Sequence, residues 1–200
     1  MRLSKTLPAV VLSSLCVVSA QPARAIDLTA LSGLVVTSSS DYGGAGPTNG
    51  PKANILDNNF DTYWNAGALS GWVQVDFGSA YVFDRVELYG NNTSYVDNYQ
   101  LLASVDGTAW SSIASGSYHT ESSLTGSRKF GAVHDYTTST EPVGRYLRYS
   151  ASTPAVWAYL GELEVTGHVA TVPEPGAWGL MLSGLGLVGF AARRRTAATI

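Results

Sequence analysis

Apolar and polar residues alternate over several short stretches in the middle of the chain. In residues 72–77 and again in 82–89, the character of the side chain changes with a period of two, which is the period of a β-strand. Other short runs rich in Val, Tyr, Trp and Thr end at Gly, Asn or Asp. The pattern predicts eight strands, over residues 34–38, 72–77, 82–89, 99–105, 110–114, 129–136, 145–150 and 162–166. Because each strand has one face to bury, we expect an all-β fold in which two sheets pack face to face.

The first 25 residues have the composition of an export signal. Arg2 and Lys5 give a basic start, residues 7–20 are mostly apolar, and Ala23-Arg24-Ala25 is a small-x-small cleavage sequence. We therefore expect residues 1–25 to be a signal peptide that signal peptidase removes. Cys16, the one cysteine of the chain, lies inside this segment, so the exported domain forms no disulfide.

The last 29 residues form a second segment of unusual composition. A Val-Pro-Glu-Pro sequence at 172–175 precedes an apolar run at 176–192, and three arginines follow at 193–195. At ~1.5 Å per helical residue the run is just long enough to cross a thin bilayer, with the arginines on the cytoplasmic side. From the residues alone, residues 172–200 are either a plain anchor helix or a sorting signal.

This segment resembles the PEP-CTERM sorting tail of bacterial surface proteins. The resemblance rests on the Pro-Glu-Pro signature, the apolar span and the basic end, in that order. It implies that an exosortase-type protease cuts near the Pro-Glu-Pro after transient anchoring in the inner membrane. The destination it implies is the cell surface or the extracellular matrix.

Residues 26–171 remain, a length that suits one domain. This region carries six basic and fourteen acidic residues, so its net charge is −8. Phosphate backbones require a basic stripe, and six scattered cations do not form one. Nucleic acid is therefore excluded as a partner, while neutral ligands and cations remain suitable.

Five phrases of this domain resemble the discoidin family, also called coagulation-factor type C domains. The resemblance covers about residues 34–167 and implies a galactose-binding-like β-sandwich of jelly-roll type, with the chain ends at one pole and the ligand loops at the other. The phrases are Asp57-x-x-x-Asp61-Thr62-Tyr63-Trp64, Trp72-Val73-Gln74-Val75-Asp76-Phe77-Gly78, Ser104-Val105-Asp106-Gly107-Thr108-Ala109-Trp110, Gly144-Arg145-Tyr146-Leu147-Arg148-Tyr149 and Gly161-Glu162-Leu163-Glu164-Val165.

Several large or charged side chains in these phrases have a structural explanation. We expect Trp64 and Trp72 to be core residues, because a buried indole contributes a large apolar area. Trp110 is expected to pack behind the hairpin turn that precedes it. Arg145 and Arg148 are expected to serve internal ion pairs or strand edges.

One short loop is a candidate for calcium. Asp57, Asn59 and Thr62 offer carboxylate, carbonyl and hydroxyl oxygens of the kind that Ca²⁺ binds, and an Asx-type turn with exposed acids is the alternative. The discoidin resemblance implies a structural calcium ion here and places Glu162 beside the loop. The ligands it implies are the Asp57 and Glu162 carboxylates, the Thr62 hydroxyl and carbonyl, and the carbonyls of Asn54, Asn59 and Gly161.

Three loops rich in Gly, Asn and Tyr are the predicted ligand-binding region: residues 40–50, 91–98 and 153–159. Sugars are held by an aromatic ring under the pyranose and by polar groups that bind its hydroxyls. The candidate platforms are Tyr42, Tyr95 and Trp157, and the candidate hydrogen-bonding residues are Asn91, Asn92, Asp97 and Asn98.

Three classes of function fit this domain to different degrees. A hydrolase requires converging catalytic groups, but His119, His134 and His168 share no metal-ligand spacing and no Gly-x-Ser-x-Gly elbow is present. We therefore expect a protein that is not an enzyme but a binding module for carbohydrate, either exopolysaccharide or cell-surface glycan. A structural or adhesive matrix protein without a specific glycan is the alternative, and a small hydrolase is the remote one.

Overall fold

The computed structural model describes residues 24–43, 49–90, 95–119, 130–154, 157–170 and 183–187. These residues form strands, one short 3₁₀ helix, Lys52–Leu56, and a short helical segment at 183–187. The strands are β1 (Ile26–Asp27), β2 (Val35–Ser38), β3 (Asn49–Gly50), β4 (Tyr63–Asn65), β5 (Ser70–Tyr89), β6 (Tyr95–Ser104), β7 (Ser111–His119), β8 (Phe130–Asp135), β9 (Val143–Ser152), β10 (Tyr159–Leu160) and β11 (Glu162–Val169).

The 20-residue strand β5 connects two layers of the fold. Its first part pairs with β2 and β9, whereas its second part pairs with β11 and β8. Between them the backbone turns at Gly78, whose φ of +78° is a conformation that favours glycine. The two strands predicted at 72–77 and 82–89 are therefore one bent strand. The alternation in the sequence showed both halves but not their continuity.

The two layers face each other across one core. One layer has the order β2–β5–β9–β6–β7, and the other has β1–β11–β5–β8. Tyr99 on β6 and His134 on β8 are not paired as strand neighbours, yet the Tyr99 hydroxyl lies 2.8 Å from His134 Nε2. The predicted all-β, sandwich-like fold is confirmed. Since β5 belongs to both layers, however, the eight strands form one continuous hydrogen-bonded sheet rather than two separate sheets.

A single apolar cluster fills the space between the layers, and all its buried members lie between Leu28 and Val165. Trp64 is fully buried, and its indole N–H donates to the Ser40 carbonyl at 2.9 Å. The prediction that Trp64 is a core residue is therefore correct. Because strands and core both fall within residues 26–169, this segment is a self-contained folding unit.

A β-bulge changes the alternation in the second half of β5. Across the β5–β11 pair, Thr166 lies opposite Arg85 while Gly167 lies opposite Phe83, so Asp84 is the extra residue. Phe83 and Asp84 are consequently both buried. Asp84 Oδ1 lies 2.8 Å from His168 Nδ1, which satisfies that carboxylate oxygen. The simple period of two predicted from the sequence fails here.

Other differences from the predicted strands come from tertiary pairing. β6 begins at Tyr95 rather than at Tyr99, and β7 extends to His119. The strands β1, β3, β4 and β10 have only two or three residues, too few for alternation to appear in the sequence. The small sheet β10–β4–β3 lies apart from the main one.

The fold has two ends. At the chain-end pole lie the terminal strands, the turn of β5 and the connections 105–110 and 136–142. At the loop pole lie residues 39–43, 66–69, 153–154 and 157–158, next to the paired strand ends Ser70 and Ser152. The described parts of the predicted loops 40–50 and 153–159 therefore lie at the pole opposite the chain ends.

The two predicted export segments fall mostly outside the described residues. The residues outside the described ranges are 1–23 of the predicted signal peptide and most of the predicted tail, 172–200. Only a short helical segment at 183–187 is described there. Within the described part of the chain, no helix is long and apolar enough to cross a membrane.

Candidate functional site

Two of the predicted platform residues meet at the loop pole. The ring centroids of Tyr42 and Trp157 lie 4.5 Å apart, with an angle of 49° between the ring planes. Trp157 is 42% exposed and Tyr42 is half-buried. The two residues are 115 positions apart in the sequence, so only the fold brings them together. The pair presents aromatic surface to solvent at the end of a rigid sandwich.

Backbone contacts fix the position of Tyr42. Its N–H donates to the Asn65 carbonyl at 2.8 Å. Gly50, with φ of +130°, approaches so closely that a Cβ there would lie 1.9 Å from the Tyr42 carbonyl oxygen. Gly67 lies against the ring, since a Cβ there would be 3.3 Å from Cδ2 of Tyr42. Any side chain at Gly50 would therefore displace the platform.

Trp157 is held through its neighbour in the chain. The Ala158 N–H donates to the Ala68 carbonyl at 2.8 Å, and the Ala158 carbonyl accepts from the Ala66 N–H at 2.9 Å. Ala158 is itself fully buried. The indole therefore projects from a backbone that is anchored directly after it.

An ion pair adjoins the aromatic pair, and sequence reasoning missed it. Lys52 donates to Asp41, which directly precedes Tyr42, and the Ser38 hydroxyl donates to the same carboxylate at 2.6 Å. Burial raises the pKa of Asp41, but the hydrogen bonds from Lys52 and Ser38 outweigh it and leave the pKa below its ordinary value. The signal in the sequence is that Lys52, one of only six cations of the domain, immediately follows the loop at 40–50.

The other predicted ligand residues belong to β6 or to the segment that precedes it. Asn98 is exposed on β6, opposite Ser152 of β9. Tyr95 and Asp97 also belong to β6, so the predicted loop at 91–98 is partly strand. Asn91 and Asn92 lie outside the described residues.

The predicted calcium loop is compact and internally hydrogen-bonded. The Thr62 hydroxyl lies 2.8 and 3.0 Å from the two Asp57 carboxylate oxygens, and the Asn59 N–H donates to Asp57 Oδ1 at 2.9 Å. The Asn59 carbonyl is 2.8 Å from the Thr62 hydroxyl. Asn54 is buried and donates to the Tyr63 carbonyl, while the Gly161 N–H donates to the Tyr89 carbonyl. All six predicted ligands therefore lie in or beside one loop.

Glu162 is the unusual member of this cluster. It is 3% exposed, and its Oε1 accepts from the Asn58 N–H at 3.3 Å. Its Oε2 is buried without a hydrogen-bond partner among the described residues. Burial, opposed by the Asn58 hydrogen bond and reinforced by the charge of Asp57, raises the pKa of Glu162 to about 8. A buried, unsatisfied oxygen beside a second carboxylate is an environment that a cation would stabilise.

The site has few charged ligands. Within the described ranges, no group of three or more His, Cys, Asp or Glu residues converges on one point. Asp57 and Glu162 supply the only two carboxylates of the predicted set, so the remaining donors would be carbonyl and hydroxyl oxygens. This donor set consists entirely of hard oxygens, which suits calcium.

The outer face of the first layer carries a second aromatic group. The Arg148 guanidinium lies over the rings of Trp72 and Trp110, 4.4 and 3.9 Å from their centroids, and donates to Gln74 Oε1. Trp72 is therefore not a core residue as predicted, because its strand position faces outward. Arg148 lies on the central strand β9 between two indoles, rather than in an ion pair. The prediction for Arg145 is correct, since it forms a bidentate ion pair with Asp76 at 2.8 Å.

The model of the F5/8 type C domain matches residues 35–163, and the model of the PEP-CTERM protein-sorting motif matches residues 171–195. The chain belongs to the F5/8 type C, or discoidin, family and carries a PEP-CTERM tail. That tail implies sorting to the cell surface.

Solved structures share the fold. The C-terminal domain of a chitobiase from Bacteroides fragilis has a TM-score of 0.55 at 21% identity, over 73% of this chain and 100% of its own. A family 32 carbohydrate-binding module from Clostridium perfringens, in complex with galactose, has a TM-score of 0.54 at 16% identity, over 72% and 99%. A fucolectin from striped bass, Morone saxatilis, has a TM-score of 0.57 at 17% identity, over 70% of this chain and 49% of its own. No curated protein matches the chain significantly.

Proposed function

We propose that the domain is a non-catalytic carbohydrate-binding module of the cell surface, with Tyr42 and Trp157 as the sugar platform. The observation that carries this proposal is the exposed aromatic pair at the loop pole, fixed by backbone contacts on both sides. A preformed platform loses little conformational entropy when a ligand binds. The galactose complex of the family 32 module supports a sugar as the class of ligand.

The surroundings of the pair suit a polyhydroxylated ligand. The C–H face of a pyranose ring packs on an aromatic surface, while its hydroxyls need both donors and acceptors. Lys52 supplies donors and Asp41 supplies acceptors beside Tyr42. The ligand is exopolysaccharide or a cell-surface glycan.

The test uses residues 26–171 on a glycan array, followed by calorimetry with the best-binding sugar. We expect Trp157→Ala to weaken binding about fivefold, because loss of an aromatic stack costs about 1 kcal/mol and 1.4 kcal/mol corresponds to tenfold. Trp110→Ala is the matched control, since it removes an indole remote from the loop pole. Equal affinity of wild type and Trp157→Ala would refute this platform, and absence of any bound glycan would favour a structural matrix role.

The same domain is proposed to bind one structural Ca²⁺ at Asp57 and Glu162. Support comes from the unpartnered Glu162 Oε2 and from the oxygen donors around it, namely Thr62, Asn54, Asn59 and Gly161. Glu162 also lines a crevice of about 360 Å³ with Asp27 and Glu164, which gives a path for an ion from solvent. The ion would neutralise two neighbouring carboxylates and join the loop to β11.

The route to the surface is proposed to have two cuts. Signal peptidase removes residues 1–25, and an exosortase-type protease cuts near residues 173–175 after the apolar run 176–192 has held the chain in the inner membrane. The match to the PEP-CTERM motif supports the second cut. Replacing Pro173, Glu174 and Pro175 by alanine should leave the protein in the membrane fraction. Release of this variant at the normal mass would contradict the proposed route.

A further inference from the structure

A groove of about 630 Å³ crosses the outer face of the first layer, away from the core. Ligand clefts typically enclose about 300–1,000 Å³, so the groove is large enough for a small oligosaccharide. Its walls are formed mainly by hydroxyl and amide side chains with one indole. The lining includes Ser39, Trp72, Asn98, Gln100, Ser150 and Ser152.

Strand register places these side chains in rows. Trp72 on β5 lies opposite Ser150 on β9, and Ser150 lies opposite Gln100 on β6. The next row toward the loop pole has Ser70, Ser152 and Asn98 in the same order. Because paired strands are about 4.8 Å apart, Trp72 and Gln100 are separated by roughly 10 Å. An indole thus lies at one side of the groove and an amide at the other.

The chemistry of the lining selects for a neutral ligand. None of the residues that line the groove is an acid, a lysine, an arginine or a histidine. The nearest cation on this face, Arg148, is covered by two indoles and hydrogen-bonded to Gln74. Hydroxyl and amide groups can donate and accept hydrogen bonds, as neutral sugars require, and the indole offers an apolar surface.

The groove is also preformed. The Trp72 N–H donates to Ser39 Oγ at 3.0 Å, and the Ser39 N–H donates to the Trp72 carbonyl at 2.9 Å. Gly71 forms part of the lining, and a Cβ there would lie 2.6 Å from Cβ of Ala66. The absence of a side chain at Gly71 lets the strand that forms this wall pack closely over Ala66 and Trp64, which holds the wall in place.

We infer that this groove is a second glycan subsite, and that the ligand is an extended neutral polysaccharide rather than a single terminal sugar. The inference rests on the proposed function, because Ser39 and Ser40 of the groove immediately precede the segment that carries Tyr42. The aromatic pair holds one sugar at the loop pole, and the sheet face holds the sugars that follow along the same chain.

The experiment compares polymer and short sugar on the same variants. Residues 26–171 are titrated with galactan, β-glucan and mannan, and with the disaccharide of each. We expect Trp72→Ala to weaken binding of the polymer about tenfold and to leave the disaccharide unchanged. Trp110→Ala is the matched control, because Trp110 also contacts Arg148 but does not line the groove. Thermal melting shows whether each variant is folded.

A second variant guards against a folding defect in Trp72→Ala. Gln100 is exposed, so Gln100→Ala should fold normally and should weaken polymer binding about threefold. If both groove variants bind polymer like wild type while Trp157→Ala does not, the proposed function stands and the groove inference fails. Equal loss in Trp72→Ala and Trp110→Ala also overturns the inference, as does a wild type that binds none of the six probes.

Discussion

Two regions of the molecule, the chain-end pole and the predicted calcium loop, use their carboxylates in different ways. At the chain-end pole, Asp76, Asp106 and Asp135 are satisfied by groups of their own turn or of a neighbouring strand. Asp106 accepts the backbone N–H groups of Thr108 and Ala109, and Asp135 accepts the N–H and hydroxyl of Thr137. Because these hydrogen bonds favour the ionised form, the pKa values of Asp106 and Asp135 lie below their ordinary value.

At the predicted calcium loop, one carboxyl group lacks such partners, and its pKa is raised instead of lowered. Glu162 is buried beside Asp57, has one unsatisfied oxygen, and has a pKa raised to about 8. The same residue types that close turns at the chain-end pole leave a buried, unsatisfied oxygen at the predicted calcium loop. The aspartates of the chain-end pole are satisfied within the fold, whereas Glu162, beside Asp57, has a buried oxygen that the proposed cation would satisfy.

The largest effect expected from this contrast is that of calcium removal. At a calcium concentration of 100 times Kd the ion stabilises the domain by about 2.7 kcal/mol, which for a domain of this size is about 8 °C in Tm. Excess chelator should therefore lower the Tm of wild type by roughly that amount, measured by differential scanning calorimetry. Glu162→Gln should melt at the same temperature with and without calcium. If chelator leaves the Tm of wild type unchanged, the proposed calcium site at Asp57 and Glu162 is contradicted.

A smaller effect is expected from breaking an internally paired acid. Asp76 accepts two hydrogen bonds from Arg145 at 2.8 Å and one from the Gly78 N–H at the turn of β5. Because the pair is partly exposed, Asp76→Ala should cost about 1 kcal/mol, a few degrees in Tm, and should leave the response to calcium intact. Glu141→Ala is the control, an exposed acid at the same pole. If Asp76→Ala changes the shift in Tm caused by calcium, the Asp76–Arg145 pair and the predicted calcium loop are energetically coupled.

The smallest effect is a pH dependence at the chain-end pole. The hydrogen bonds from Arg145, opposed by burial, place the pKa of Asp76 below its ordinary value of 3.8. A lowered folded pKa stabilises the fold fully above the unfolded value, and this stabilisation is lost as the pH falls through the folded pKa. In excess calcium, the free energy of unfolding should decline between pH 5 and pH 3. Chemical denaturation at several pH values should show a shallower decline in the free energy of unfolding for Asp76→Asn than for wild type. Equal slopes would contradict the role given to Asp76.

Much of the fold follows from local patterns. The period of two predicts the central part of most long strands, because one face of each strand must be buried wherever it pairs. The same reasoning failed at Phe83 and Asp84, where a bulge opposite Thr166 and Gly167 inserts one residue. Trp72 was also misassigned, because alternation defines two faces without saying which one meets the core. Composition could not find the ion pair of Asp41 and Lys52, which depends on contact across a loop.

By itself, the sequence determined the class of fold, the C-terminal sorting tail and the loops in which ligand residues were to be sought. Each of these depends on neighbouring residues, so local periodicity and composition carry the information. The tertiary structure decided which distant residues meet: Tyr42 with Trp157, Arg148 with two indoles, and Asn58 with Glu162, 104 positions later. Those contacts require chain closure over long separations, and only the packing of the whole sandwich supplies the energy for it.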